Sequence, residues 1–472
     1  MGQMAIISVD GHVKATRALW RNYIEPRHLD AYDDWVRSQE AAGIPDSGNV
    51  NPAFEPLVQW DSPARLAALD TQGVVAEVLF PNGLPFGARR FEDVDRGADP
   101  ALARAANMAH NRWLADFCAE APGKRAGQMI VTFDDIDQAV SDVYWAKENS
   151  LGGIMMPALE PGGIFFFDPV LDPIWAAIEE TGLPISQHGG AGTPAYRPEG
   201  FAAIMTIAIE QSFFAGRSLW QMILGGVFER FPKLQVVYVE TGADWIAPVI
   251  RQLDRRIIGA DDWIGFAVFM KRPKPFSRLP SEYWATNCHA GISPFAASQL
   301  AYDELKPYER DAGVEHFQIG SDKAMFGVDF PHFESLAPRT KSTVAELAGH
   351  PGITEADLHK ILYTNAATVY GFDLAALQPD IDRVGFELAD LPSPPPEHRL
   401  RTGRQAGKCR VDASTIVDPG SRSRHQRRCR LTRRGFPPPP GGSTIRLCTA
   451  HSGSFRLRPD RERCIDHGLR PH

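Results

Sequence analysis

The chain has 472 residues, 43% of them hydrophobic and 23% charged, with a formal net charge of −8, the balance of a protein with ample material for a buried core. The charge is divided: residues 396–472 hold 18 Lys+Arg against 6 Asp+Glu (+12), which leaves 32 against 52 (−20) for residues 1–395. An acidic body excludes nucleic acid as a partner, because a phosphate backbone demands a basic face. No signal-like start and no apolar run of bilayer length is present, so the expectation is a cytoplasmic protein with no membrane partner.

Along the chain, eight stretches read as strands: 4–10, 74–81, 128–133, 153–157, 183–188, 234–240, 283–287 and 324–329. Most are continuously apolar, as parallel strands covered on both faces are. Between them, 101–120, 135–148, 169–181, 202–231 and 243–258 read as helices, and 355–369 adds a terminal one. Several open on Asp, Ser or Pro and close on Gly, as at Asp168-Pro169 and Thr181-Gly182. This alternation predicts an α/β fold, a (β/α)8 TIM barrel with insertions. A doubly wound open sheet is the rival, but no glycine-rich nucleotide loop follows any strand. The Gly/Pro/Asn-rich stretch 39–56 reads as an excursion near the barrel mouth, and the Pro-rich 271–280 as a loop. The helix 202–231 is apolar beyond the needs of barrel packing, which points to a pocket wall or a homodimer contact.

The barrel is expected over 1–390. Residues 391–472 are rich in Arg and Pro without periodicity, and such a segment cannot bury enough apolar area to order itself, so a disordered tail is predicted. Its composition is that of GC-rich DNA translated out of frame; a basic arm for an anionic partner is the alternative. Cys118 and Cys288 lie in the body and Cys409, Cys429, Cys448 and Cys464 in the tail, with no CxxC pairing, so neither a disulfide framework nor a zinc knuckle is indicated.

Chemistry-bearing side chains collect at the predicted strand ends: Asp10 and His12 at strand 1, His188 at strand 5, Glu240 at strand 6 and Asp329 at strand 8. In a TIM barrel these C-terminal ends converge on one face. Asp10 and His12 are two apart and share a side of their strand, read as the barrel interior. Each residue alone has a plainer reading, as turn, core histidine, helix cap or ion-pair partner. Together they make a nitrogen and oxygen donor set suited to zinc, manganese or iron. Around them, His332 and His289 are candidates for orienting a substrate, or a helix-start residue and a surface-loop histidine, and Arg65 is a candidate for receiving a substrate carboxylate, with a helix-surface charge as the plainer reading. Trp20, Phe86, Trp245 and Trp284 are candidate pocket walls, or core.

Five motifs in order, SVDGHV, QHGG, GVFERFPKLQVVYVETGADW, GVDFPH and NAATVYGFD, resemble those of the amidohydrolase superfamily. More narrowly, residues 4–375 are similar to the amidohydrolase-related group that includes aminocarboxymuconate-semialdehyde decarboxylase and the resorcylate decarboxylases. The resemblance implies one divalent ion, with zinc expected and manganese or iron as alternatives, held by Asp10, His12, His188 and Asp329. It implies a hydrolase or decarboxylase of a small carboxylated compound, with Asp329 and Glu240 moving protons. Binuclear relatives carry a lysine at strand 3 or 4, which MIVTFDD and GGIMMPAL lack, so a mononuclear site is expected. The decarboxylases generally carry His where this chain has Glu240. A catalytically inactive binding or scaffold barrel and a metal-independent hydrolase are the rival readings.

Overall fold

Strand β1 (Ile6–Val13) is buried along its whole length and begins an eight-stranded sheet that runs in sequence order. The other strands are β2 (Val74–Pro81), β3 (Arg125–Ile130), β4 (Gly153–Met156), β5 (Ile185–His188), β6 (Val236–Val239), β7 (Cys288–Ile292) and β8 (Ala324–Phe326). Every neighbouring pair is parallel. Just beyond β8, Phe330 bridges in parallel to Gly11, the His12 amide donates to the Phe330 carbonyl at 2.6 Å, and the Asp329 amide donates to the Asp10 carbonyl at 2.8 Å. The sheet thereby closes on itself as the predicted (β/α)8 barrel. These coordinates are a computed structural model that describes residues 3–87, 99–157, 163–190, 201–258, 273–292, 302–305 and 317–392.

Alternation along the strands separates two cores. Ile7, Val9, Val78, Met155, Val237, Val239 and Met325 fill the inside of the cylinder. Ile6, Met129, Ile154, Met156, Ile185, Val236, Tyr238 and Phe326 face outward and pack under the helices with Trp113, Trp175 and Ile250. The helices form where expected: α1 (Pro100–Ala119), with Asp99 capping Ala101, and α2 (Ile136–Glu148), with Asp135 capping Gln138. Helix α3 (Asp172–Thr181) ends at Gly182 in the left-handed conformation. Helix α4 (Phe201–Leu224) is followed by Gly225 and Gly226 and a single turn, Val227–Arg230. A Cβ on Gly226 would lie 2.1 Å from the Pro275 carbonyl oxygen, so the chain stops its long helix where another backbone passes. Among the described residues, no helix is long and apolar enough to cross a membrane.

One strand was expected in the wrong place. Residues 283–287 form the end of a helix, Pro280–Asn287, and the seventh strand is Cys288–Ile292. The aromatic content of Tyr283 and Trp284 mimics a strand. Local chemistry favours the helix: Pro280 sits in its first turn and the Glu282 carboxylate accepts from the Leu279 amide at 2.8 Å. The helix Leu29–Ala41 lies outside the predicted elements, and Ser62–Gln72 is the helix that carries Arg65. The excursion 39–56 is helical only to Ala41 and irregular beyond it. Leu388 and Leu391 still pack against the body, and the expected tail from 393 onward lies outside the described residues.

Candidate metal centre

Asp10 and His12 reach the interior through an irregularity of β1. Opposite β2, Ser8 pairs with Glu77 and Gly11 with Leu79, so β1 holds one residue more than its neighbour. Without this bulge, strict alternation after Ile7 and Val9 would turn Asp10 and His12 outward; the extra residue re-aims them. Both are fully buried. His188 is the last residue of β5 and Glu240 the first after β6. Glu240 (φ 54°) and Asp329 (φ 59°) hold left-handed backbones, a conformation costly for a residue with a Cβ and concentrated at functional sites.

Each of Asp10, His12, His188 and Glu240 offers a ligand atom, all within 4.8 Å of one another. His12 Nε2 lies 3.2 Å from Asp10 Oδ1 and 3.1 Å from Asp329 Oδ1, and His188 Nε2 lies 3.4 Å from Asp10 Oδ1 and 3.1 Å from Glu240 Oε2. Asp329 therefore joins the cluster through His12, and it forms overlapping groups with His332 and with Glu240 and Glu334. His188 Nδ1 sits 2.6 Å from the Gly189 carbonyl, which can only accept, so Nδ1 carries the hydrogen. With Nδ1 so engaged, Nε2 faces two carboxylates, an arrangement that a cation between them satisfies. Asp10 Oδ2 and both ring nitrogens of His12 are buried with no aligned hydrogen-bond partner among the described residues. Buried polar atoms of this kind call for an occupant. Burial opposes ionisation of Asp10, yet His12 and His188 hold its carboxyl well below the usual range. Burial and the neighbouring His332 push the His12 imidazole well below its ordinary value, leaving it neutral and able to ligate.

His332 stacks on His12 with ring centroids 3.7 Å apart and places Nδ1 2.8 Å from Asp329 Oδ1. Its other nitrogen meets Asn82 Oδ1 at 2.9 Å. The Asn82 amide nitrogen donates to the Asn49 carbonyl and to Gln59 Oε1, which fixes the amide's orientation, so His332 Nε2 is the donor and Nδ1 faces Asp329. Asn82 was not anticipated, and neither was Phe80, whose ring lies 4.4 Å from that of His188. Phe80 sits in an unbroken apolar strand, where nothing in composition separates a pocket wall from core. The loop after Ala41 roofs this end of the barrel. Asp46 binds Lys14 Nζ at 3.0 Å and the Arg17 amide, and the Asn51 amide donates to the Pro331 carbonyl.

Two expected substrate contacts are elsewhere. Arg65 is fully buried and all five of its donors are used: Nε and Nη2 on the Glu77 carboxylate at 2.7 Å each, Nη1 on the His12 and Val58 carbonyls, and Nη2 also on the Phe330 carbonyl at 3.3 Å. It has no donor left for a substrate carboxylate. His289 is the second residue of β7, at the N-terminal end of the barrel, where it meets Gln235 Oε1 at 3.0 Å. The misplaced seventh strand had put it at the mouth. Trp20 and Trp284 belong to the outer core, Phe86 packs on Tyr32, and Trp245 packs on Tyr238.

His289 sets a pH dependence of stability. Burial, helped by Lys323, pushes its imidazole down to about 3 from an ordinary 6.5. Below pH 6.5 the unfolded chain takes up a proton that the folded chain refuses, so stability complete above that pH falls as pH drops, by up to about 1.4 kcal/mol per unit. Urea midpoints between pH 7 and 5 should fall less steeply for His289→Gln than for the parent. Parallel slopes would contradict this.

Comparison with known proteins follows the same lines. A family model described as amidohydrolase matches residues 25–372, well over half of the chain. Among solved structures, an amidohydrolase from Mycobacterium avium subsp. paratuberculosis is 21% identical, with 78% of this chain and 99% of that one covered and a TM-score of 0.54. The 5-carboxyvanillate decarboxylase of Sphingomonas paucimobilis is 22% identical over 78% and 99% of the two chains, TM-score 0.52. A dihydroxybenzoic acid decarboxylase from a Polaromonas species, solved with bound manganese and 2-nitroresorcinol, is 18% identical over 79% and 97%, TM-score 0.50. Comparison with curated proteins returned no match.

Proposed function

This chain belongs to the amidohydrolase family and is an enzyme of that superfamily, and we propose that it is a mononuclear, metal-dependent decarboxylase of a small carboxylated aromatic compound. The observation that carries the reading is the convergence of His12 Nε2 and His188 Nε2 on the carboxylates of Asp10, Asp329 and Glu240, beside an Asp10 Oδ2 that is buried with no hydrogen-bond partner among the described residues. Those atoms fit a divalent ion held by Asp10, His12, His188 and Asp329, with Glu240 as a further oxygen ligand. Zinc suits two imidazoles with carboxylates, but a set with three carboxylates suits manganese as well. When bound, the ion supplies a Lewis acid that polarises the substrate carboxylate and an adjacent oxygen.

The remaining chemistry belongs to the chain. Asp329 Oδ1 and His332 Nδ1 share a proton across 2.8 Å, and Asn82 keeps the ring turned so that this proton faces the cluster. Delivered to the ring carbon that loses CO2, it completes the exchange of carboxyl for hydrogen. Phe80, against His188, and the roof formed by the loop after Ala41 keep water from the reacting carbon. Names of similar structures, 5-carboxyvanillate and dihydroxybenzoic acid decarboxylases, support this substrate class. A second reading, hydrolysis, is favoured by Glu240, a carboxylate 3.1 Å from His188 Nε2 and placed to take a proton from water. Phe201, Met205, Ile209 and Phe213 are exposed at four-residue spacing along α4 and support a homodimer contact there.

The test loads the protein with Mn²⁺ or Zn²⁺ and follows hydroxylated benzoic acids in D2O by NMR, beside a panel of lactones and esters. Loss of CO2 with one deuterium on the vacated ring carbon is the expected result. Turnover of the esters alone would transfer the assignment to hydrolysis, and turnover unaffected by chelation would reject the metal.

A further inference from the structure

We propose that Arg65 and Glu77 are a positioning pair for the metal centre: they set the spacing between the ligand-bearing ends of β1 and β8. The inference rests on the reading of the centre as a divalent-ion site. Arg65 reaches both sides of the barrel seam, donating to the carbonyl of His12 at 2.9 Å and to the carbonyl of Phe330, the neighbour of Asp329, at 3.3 Å. The same fork is held flat by two bonds of 2.7 Å to Glu77 on β2, and its face lies 5.0 Å from the Phe330 ring. A planar group with five fixed donors can hold two carbonyls and a carboxylate at once; an ammonium cannot.

Gly11 shows how closely the pair is built against the ligands. It stands between Asp10 and His12, and a Cβ there would meet Glu77 Oε2 at 3.0 Å and Arg65 Nη2 at 3.2 Å. The glycine of the DGH motif is thus a space for the pair, since its φ lies outside the left-handed region that would itself require glycine. Arg125 provides a natural comparison. It is buried beside the pair, with Nε 3.8 Å from Glu77 Oε1, but its hydrogen bonds go to the Phe117 carbonyl and Ser62 Oγ, remote from either ligand strand.

The experiment titrates Mn²⁺ by electron paramagnetic resonance into the full chain and the variants Arg65→Lys, Gly11→Ala and Arg125→Lys, with thermal midpoints recorded for each. Groups that orient metal ligands typically govern affinity by 10–100-fold. Arg65→Lys should therefore raise the Mn²⁺ dissociation constant by at least about 10-fold and alter the line shape of the bound ion. Arg125→Lys should lower the thermal midpoint while keeping Mn²⁺ affinity within about 2-fold, since it leaves the orienting groups in place. Parental affinity in folded Arg65→Lys, or an equal loss in Arg125→Lys, overturns the proposal. If Arg65→Lys does not fold, Gly11→Ala decides: weaker Mn²⁺ binding supports the pair and unchanged binding overturns it. A parent chain that binds no Mn²⁺ fails at an earlier step and takes the metal reading down with it.

Discussion

Replacing His188 by Ala is expected to empty the centre of its divalent ion and to end turnover with it. The ring bridges two carboxylates of the cluster, 3.4 Å from Asp10 Oδ1 and 3.1 Å from Glu240 Oε2. Its Nδ1–H is anchored on the Gly189 carbonyl, so no rearrangement is needed for Nε2 to bind. Alanine leaves carboxylates facing one another in a buried space, without the nitrogen that completes the set. Because disturbing an outer-shell partner alone costs 10–100-fold in affinity, removal of a ligand should cost at least about 100-fold. Elemental analysis after dialysis, with far-UV circular dichroism to establish the fold, reads the result. Near-stoichiometric metal in a folded His188→Ala protein would refute the ligand set.

Asp329→Asn is expected to leave the fold intact and lower kcat by about 10³-fold, within the range that a positioned acid or base contributes. The substitution is chosen for the backbone. At φ 59° a β-branched or bulky residue would be disfavoured, whereas asparagine tolerates the left-handed region as aspartate does. The amide still reaches His12 Nε2 and His332 Nδ1 but cannot exchange a proton with either. Rates are compared at saturating Mn²⁺, so that weakened metal binding is separated from lost proton transfer. A kcat within about tenfold of the parent under those conditions would remove Asp329 from the proton path.

Much of the site was legible because strand ends in a closed barrel meet, whatever the loops do. Asp10, His12, His188, Glu240 and Asp329 could be named from their places after apolar runs, and the structure brings all five into one connected cluster. His332 could be named from its spacing to Asp329 but not given its stacked pose. The substrate contacts expected of His289 and Arg65 rest on weaker grounds, and the structure places both residues elsewhere. For His289, an aromatic helix end resembled a strand and displaced the true strand by several residues. For Arg65, a charged side chain on an amphipathic helix gives no sign that a carboxylate on the next strand will bury it.

The sequence by itself determined the repeating β/α order, the polar side chains that end strands 1, 5, 6 and 8 and the family of the chain, because these depend on local periodicity and on residues counted along one dimension. The tertiary structure decided the bulge that turns Asp10 and His12 inward, the ring orientations of His188 and His332, and the conversion of Arg65 from a surface charge into a clamp across the barrel seam. The reason is physical. Hydrogen-bond direction and burial depend on groups brought together from distant parts of the chain, and no spacing along the sequence encodes which of them will meet.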